Sequence, residues 1–350
     1  MKTQVWQIDA CSIQDEIINS AARIIKNGGL VAFPTETVYG LGANGLSSRA
    51  VSGIFRAKGR PSDNPLILHI ADIEAVYTLA QDIPPVAFKL MELFWPGPLT
   101  LVLPKQAVVP REVTAGLATV AIRMPDHPVA LRLIRAAGVP LAAPSANRSG
   151  LPSPTTAQHV WDDLAGRIDA ILDAGPTGVG LESTVLDLTE ETPVILRPGG
   201  ITAEELEGVL GKVAMDPGLV SPEAVPKAPG MKYTHYSPRA QVILVQGNPA
   251  KVSCKIREMV ERYTREGKKV GLLLTDETWQ LLGSLPVAYG KNIGTRLNLA
   301  GIARIIYGEL RHCDRAGVDV IFTETYSQEG LGSALMNRLL KSAGYHVIKA

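Results

Sequence analysis

KVAMDPGLVSPEAVPKAPGMKYTHYSPRA, residues 212–240, carries Pro217, Pro222, Pro226, Pro229 and Pro238. A proline has no N–H to give and fixes its own φ, so neither a regular helix nor a central strand can run through this stretch. Prolines at such spacing predict a semi-rigid, extended connector. It divides the 350-residue chain into an N-terminal part, 1–211, and a C-terminal part, 241–350. Each part is long enough to bury a core of its own.

On the N-terminal side helix and strand signals alternate. Ser12 can cap a helix that stops at Gly28-Gly29. LVAF (30–33) comes next as a short buried strand, and the turn after it holds PTETVYGLG (34–42). A second helix opens near Ser47 and sets Val51, Ile54 and Phe55 on one face before it reaches Lys58. LILHIA, TLVLP, TVAIRM, PLAAPS, DAILDAG and STVLDL read as further short strands. Thr202 and Glu205 form a capping-box pattern ahead of AEELEGVL. The N-terminal expectation is mixed α/β.

The C-terminal side alternates more regularly. QVILV (241–245), KKVGLLLT (268–275), VDVIFTE (318–324) and YHVIKA (345–350) are separated by helical stretches near 250–266, 298–316 and 332–343. That order predicts a small, parallel, Rossmann-like α/β unit. It has no G-x-G-x-x-G, so the pattern assigns it no dinucleotide. GLGSALMNR (330–338) could receive an anion at a helix start, but such glycines more often let a helix pack closely.

Bulk composition narrows the function classes. Hydrophobic residues make up 46% and charged residues 20%, and 35 Lys plus Arg against 34 Asp plus Glu leave a formal charge of +1. That balance argues against a surface built as a whole to grip nucleic acid or anionic lipid. Cys11, Cys254 and Cys313 are scattered and form no C-x-x-C, which disfavours both a disulfide framework and a structural zinc site. MKTQVWQIDA lacks the features of a signal peptide, and no apolar run is long enough for a membrane span. A reducing cytoplasm is the expectation.

Three segments concentrate the polar chemistry. In AKGRPSDNPLILH (57–69), Lys58 and Arg60, with Arg56 just before, put three cations into five residues. Pro61 and Pro65 stiffen the backbone around residues 61–65, and Asn64 and His69 flank the entry to a strand. A solvated helix end is the plain reading of these cations. Rigid positive charge beside polar groups also suits a polyphosphate. In PTETVYGLG, Thr35 and Thr37 share one side and Glu36 takes the other if the chain is extended. In APSANRSGLPSPT (143–155), Ser145, Asn147, Ser149 and Ser153 line a loop after an apolar strand, where α/β proteins favour ligand groups. A turn whose side chains bond their own backbone explains the same composition. Arg123, Ser183 and Arg197 repeat the placement at strand ends.

No G-x-x-x-x-G-K-[ST], kinase signature, G-x-S-x-G or H-E-x-x-H is present. A site rich in Arg, Lys, Ser, Thr and Asn but poor in nucleophiles points to catalysis by positioning and charge neutralisation.

Taken in order, PTETVYGLG, KGRPSDNPL with His69, TVAIRMPDHP, APSAN, ESTV and LRPG resemble the YrdC-like family, and GMKYTHYSP in the connector resembles its two-domain form. The resemblance spans essentially the whole chain. It implies a twisted, mixed α/β YrdC-like catalytic domain over 1–211, a linker or lid over 212–240, and a smaller Rossmann-like domain over 241–350. It further implies a nucleotidyltransferase that makes L-threonylcarbamoyladenylate and pyrophosphate from L-threonine, bicarbonate and ATP. A separate transferase then moves the activated group to tRNA, so tRNA is only an indirect partner. By position, Thr37, His69, Arg123, Ala143 and Ser183 would touch threonine. Arg60, Asn64, Thr119, Ser145, Ser153, Arg197 and Tyr236 would touch ATP, and Lys58 would join Arg60 on the phosphates as catalytic cations. No residue is implied as a metal ligand, since Mg²⁺ would be bound mainly through ATP phosphates. Arg123 would fork the threonine carboxylate.

Two other readings fit parts of the sequence. A carbamoyl-adenylate-forming domain of the hydrogenase-maturation type would bring an acylphosphatase-like domain and C-x-x-C zinc repeats, which are absent here. A double-stranded RNA-binding module is disfavoured by the near-neutral charge and the lack of an aromatic platform.

Overall fold

The structure is a computed structural model and describes residues 2–219 and 236–350. Residues 220–235 lie outside the described residues, and with them most of the connector read as a linker or lid, including Lys232, Tyr233 and His235. The described chain forms two units, one of residues 2–149 and 153–219, the other of residues 150–152 and 236–350.

The first unit is built on β1 (Gln4–Gln7), β2 (Val31–Phe33), β3 (Gly40–Asn44), β4 (Ile67–His69), β5 (Leu99–Pro104), β6 (Thr119–Arg123), β7 (Leu141–Ala142), β8 (Ala170–Asp173), β9 (Thr184–Asp187), β10 (Val194–Arg197) and β11 (Ala214–Met215). Their order across one mixed sheet is β1-β8-β2-β3-β7-β4-β6-β5-β9-β10-β11. β4 and β6 run parallel, with His69 opposite Arg123, while β5 runs antiparallel to β6 with Pro104 opposite Thr119.

Side chains alternate between faces along a strand, and that alternation sorts the core. Val31 and Phe33 pack with Ile18, Ala21 and Ile25 of the helix Asp15–Lys26 and with Val129, Leu133 and Ile134 of the helix Pro128–Ala137. Ala32 turns the other way, into a larger cluster with Val51, Ile54 and Phe55 of the helix Ser48–Lys58. Val120 and Ile122 of β6 join that larger cluster. Ala121 instead meets Ile67, Val102, Val185 and Leu196 in a small apolar patch. Residues two apart share a face, so Thr119 and Arg123 lie with Ala121, His69 with Ile67, Thr100 with Val102, and Ser183 with Val185. That face carries the polar residues.

Two helix starts agree with the sequence pattern and one departs from it. Ser47 caps its helix by accepting from Ala50 N at 3.3 Å, and Thr202 and Glu205 close both halves of the capping box. Ser12 does not cap the first helix. Its N–H bonds Asp9 O in a turn, and the helix opens after Gln14 with no side-chain cap. Asp15 and Glu16 in its first turn complement the dipole instead.

In the second unit β12 (Gln241–Gln246), β13 (Val270–Leu274), β14 (Tyr289–Asn292), β15 (Val320–Glu324) and β16 (Val347–Lys349) form an all-parallel sheet in the order β14-β13-β15-β12-β16. Long helices at Pro249–Arg265, Leu299–Arg315 and Leu331–Ser342 connect strands, as the alternating pattern predicts. At Gly332 a Cβ would meet the Ser327 carbonyl oxygen, so close packing accounts for that glycine. Among the described residues no helix is long and apolar enough to cross a membrane.

Candidate active site

Arg123 ends β6 and is only 4% exposed. Its Nε donates to Gly97 O at 3.2 Å and its Nη1 to Thr37 Oγ1 at 3.0 Å, while Nη2 lies 2.6 Å from Glu36 Oε1. Thr37 is fully buried and its hydroxyl is 2.8 Å from that of Thr35. The two threonines do share a side. Glu36 does not take the opposite one: residues 34–39 form a turn rather than a strand, and the turn brings Glu36 to the same guanidinium as Thr37. Val179 N and Gly180 N bond the carbonyls of Glu36 and Thr37, which pins that turn to the segment leading to Ser183.

His69 stands opposite Arg123 on β4. Burial, reinforced by the Arg123 charge, lowers its pKa from 6.5 to about 3, so the ring is neutral at physiological pH. Ala143 N bonds Ile67 O at 3.0 Å, which sets Ala143 beside the same strand. Thr184 N bonds Pro98 O, next to the Gly97 carbonyl that holds Arg123. Ser183 therefore borders this neighbourhood too, with its hydroxyl 2.8 Å from that of Thr100. The five residues implied as threonine ligands thus fall in one neighbourhood, at strand ends and in the turn beside them.

The residues implied for ATP are spread over several separate settings. Arg60 Nη2 bonds Asn64 O at 3.3 Å and Pro65 O at 3.1 Å. The Asn64 side chain is 1% exposed, yet among the described residues neither its oxygen nor its nitrogen has a hydrogen-bond partner. A buried amide with no partner costs free energy unless a ligand satisfies it. Thr119 begins β6, four residues from Arg123, a span of about 13 Å along a strand. Arg197, at the end of β10, bonds both the carbonyl and the hydroxyl of Ser183 at 3.1 Å. Ser145 Oγ donates to Asn147 Oδ1 at 2.6 Å, and Ser153 Oγ donates to Glu182 Oε1 at 2.5 Å.

The three clustered cations have different surroundings. Lys58 is 3% exposed, and its ammonium donates to Ser145 O, Asn147 O and Asn147 Oδ1. Those bonds brace the 143–149 loop against the helix. Arg56 is exposed and lines a cavity of about 550 Å³ with Arg49, Arg167 and Asp169, none of them among the residues of this site. Tyr236 falls in the second unit, at φ +64°, buried and stacked on Tyr307 at 5.6 Å, with the Arg338 guanidinium 5.2 Å from its ring centre. Sequence reasoning missed Glu36, Thr100 and Glu182. The i, i+2 relation of Thr100 to Val102 carried the signal for one of them. Glu36 depended on the turn.

Two domain families match. One, described as telomere recombination and covering Sua5, YciO and YrdC, takes residues 23–199, and the threonylcarbamoyl-AMP synthase C-terminal domain takes residues 201–344. The chain is 52% identical to a threonylcarbamoyl-AMP synthase of Pyrococcus abyssi, covering 96% of this chain and 97% of that one. It is 50% identical to the synthase of Bacillus subtilis over the full length of both. The crystal structure of P. abyssi Sua5 complexed with L-threonine superposes with a TM-score of 0.94 at 51% identity, covering 99% of this chain and 100% of that one.

Proposed function

Because the chain belongs to the Sua5–YciO–YrdC family and carries the threonylcarbamoyl-AMP synthase C-terminal domain, we propose that it condenses L-threonine, bicarbonate and ATP into L-threonylcarbamoyladenylate and pyrophosphate. The family and the full-length relatives support the synthase activity, and the relative crystallised with L-threonine supports that amino acid as substrate. Nucleotidyl transfer, ATP, bicarbonate and a downstream tRNA-modifying transferase are the finer parts of the proposal. A cytoplasmic setting goes with them, in keeping with three free thiols.

The observation that carries the proposal is the convergence of Thr37, from its turn, with His69, Arg123 and Ser183 at the strand ends, while the Asn64 amide lies buried without a partner among the described residues. Threonine's ammonium and bicarbonate give a carbamate with loss of water and a proton. A carbamate oxygen then attacks the α-phosphorus, the bond to the β-phosphate oxygen breaks, and pyrophosphate leaves. The carbamate is already an anion, so the step needs no strong base. It needs charge neutralised and atoms aligned. Arg123 offers the threonine carboxylate a fixed guanidinium, and neutral His69 adds no competing charge. Arg60 supplies positive charge to the phosphates, while Lys58 acts through the 143–149 loop. Mg²⁺, if carried in on the triphosphate, would spread the phosphate charge, and the Asn64 amide oxygen is the hard donor that could meet it.

Pyrophosphate release tests the reading. It should require threonine and bicarbonate together. Release from ATP with neither present, or none with both, would overturn it.

A further inference from the structure

Threonine at neutral pH carries two charges. Arg123 answers the carboxylate. The ammonium needs an acceptor beside it. Glu36 has both carboxylate oxygens buried, and among the described residues neither closes a hydrogen bond. Among the described residues its ion-pair partner is Arg123, 2.6 Å away, and that contact has no aligned N–H. A carboxylate accepts at about four positions, so Glu36 is left with acceptor capacity turned into the protein. It is not loosely placed, because its own carbonyl is held by Val179 N and the next by Gly180 N.

The charges around it are few. Arg123 pairs with it, and His69 across the register is neutral. Asp126 is exposed, and its pKa is raised by partial burial and by the Glu36 charge. His127, which also feels Glu36, caps the helix Pro128–Ala137 through Nδ1 and is kept toward its neutral form by burial. Asp126 faces water, so Glu36 is the inward anion beside Arg123.

We propose that Glu36 binds the α-amino group of threonine while Arg123 binds its carboxylate, the two together reading the substrate as a zwitterion. This rests on threonine being the substrate of the proposed synthase. An adjacent anion and cation match the fixed spacing of ammonium and carboxylate on one α-carbon, and charge-assisted bonds are the strong ones. Glu36 thereby rejects acids of threonine's shape that lack the amine.

The test is calorimetric binding of L-threonine and of 3-hydroxybutyrate, which is threonine with hydrogen in place of the amino group, to the full-length protein. Wild type should prefer threonine. Glu36→Gln should bind threonine about tenfold to a hundredfold more weakly, with 3-hydroxybutyrate unchanged or tighter. Glu36→Asp should lose part of the preference and serves if the Gln variant does not fold. An equal loss for both ligands would reduce Glu36 to a prop for Arg123. An unchanged or stronger grip on threonine would overturn the proposal outright. Failure of the wild type to bind threonine would instead sink the synthase reading.

Discussion

Arg60 follows the end of the helix Ser48–Lys58 and Arg123 ends β6, and the two sit in different surroundings. Arg60 bonds the carbonyls of Asn64 and Pro65, whereas Arg123 is buried against Thr37 and Glu36. Arg60→Ala should raise the KM for ATP and Arg123→Ala the KM for threonine, each by a charge-assisted contact of roughly 1.5–3 kcal/mol. Equal effects on both substrates in both variants would contradict the separation. His69 gives a pH signature. Its folded pKa lies far below the unfolded value of 6.5, so the unfolded chain binds a proton that the folded one refuses. Stability from this residue is therefore full above pH 6.5 and is lost as pH falls toward 3, by about 2 kcal/mol between pH 7 and pH 5. Denaturant unfolding at those two pH values should show a smaller loss in His69→Gln than in wild type. A parallel loss would mean that the ring titrates normally. Arg123 was legible as an arginine at a strand end and Arg60 as a cation in a stiff loop, while their ligand roles came from the family resemblance. Glu36 was not, because alternation holds for a strand and residues 34–39 turn.

At the scale of elements, β6 carries one residue of each implied ligand set. Thr119, Ala121 and Arg123 share a face, with Val120 and Ile122 in the core behind them, so a five-residue strand sets two site groups about 13 Å apart. The helix Ser48–Lys58 does a different job. Its last residue bonds two backbone carbonyls and one side-chain oxygen of the 143–149 loop. Lys58→Met should therefore lower thermal stability, by about 1–3 kcal/mol, and weaken ATP use through a loosened Ser145 and Asn147. If Lys58 touched only phosphate, melting would be unchanged and turnover alone would fall. Sequence placed Lys58 at a helix end but could not show which way the ammonium turned. The contact spans 87 residues from Lys58 to Ser145, and no local pattern encodes it. Ser12 misled for the opposite reason: its cap signal was local, but the helix opens two residues later, after Gln14.

Across the whole molecule, each unit has its own core. Ile243, Val245, Ile256, Leu272, Leu274 and Phe322 form a cluster wholly within the second unit. Residues 236–350 expressed alone should then unfold in a single cooperative transition by circular dichroism. A non-cooperative melt would show that this sheet depends on the rest of the chain. The α/β class and the regular C-terminal alternation were readable because helix and strand periods differ and the helices there are long. The strand order was not, because an eleven-strand mixed sheet of pieces as short as Leu141–Ala142 is fixed by long-range pairing that composition does not record. The most direct test of the central claim is mass spectrometry of the products formed from ATP, L-threonine and ¹³C-labelled bicarbonate. The account predicts an adenylate whose mass contains threonine, AMP and the labelled carbon, formed in step with pyrophosphate. Pyrophosphate accompanied by an unlabelled threonyl-adenylate, or by AMP alone from the start of the reaction, would contradict it.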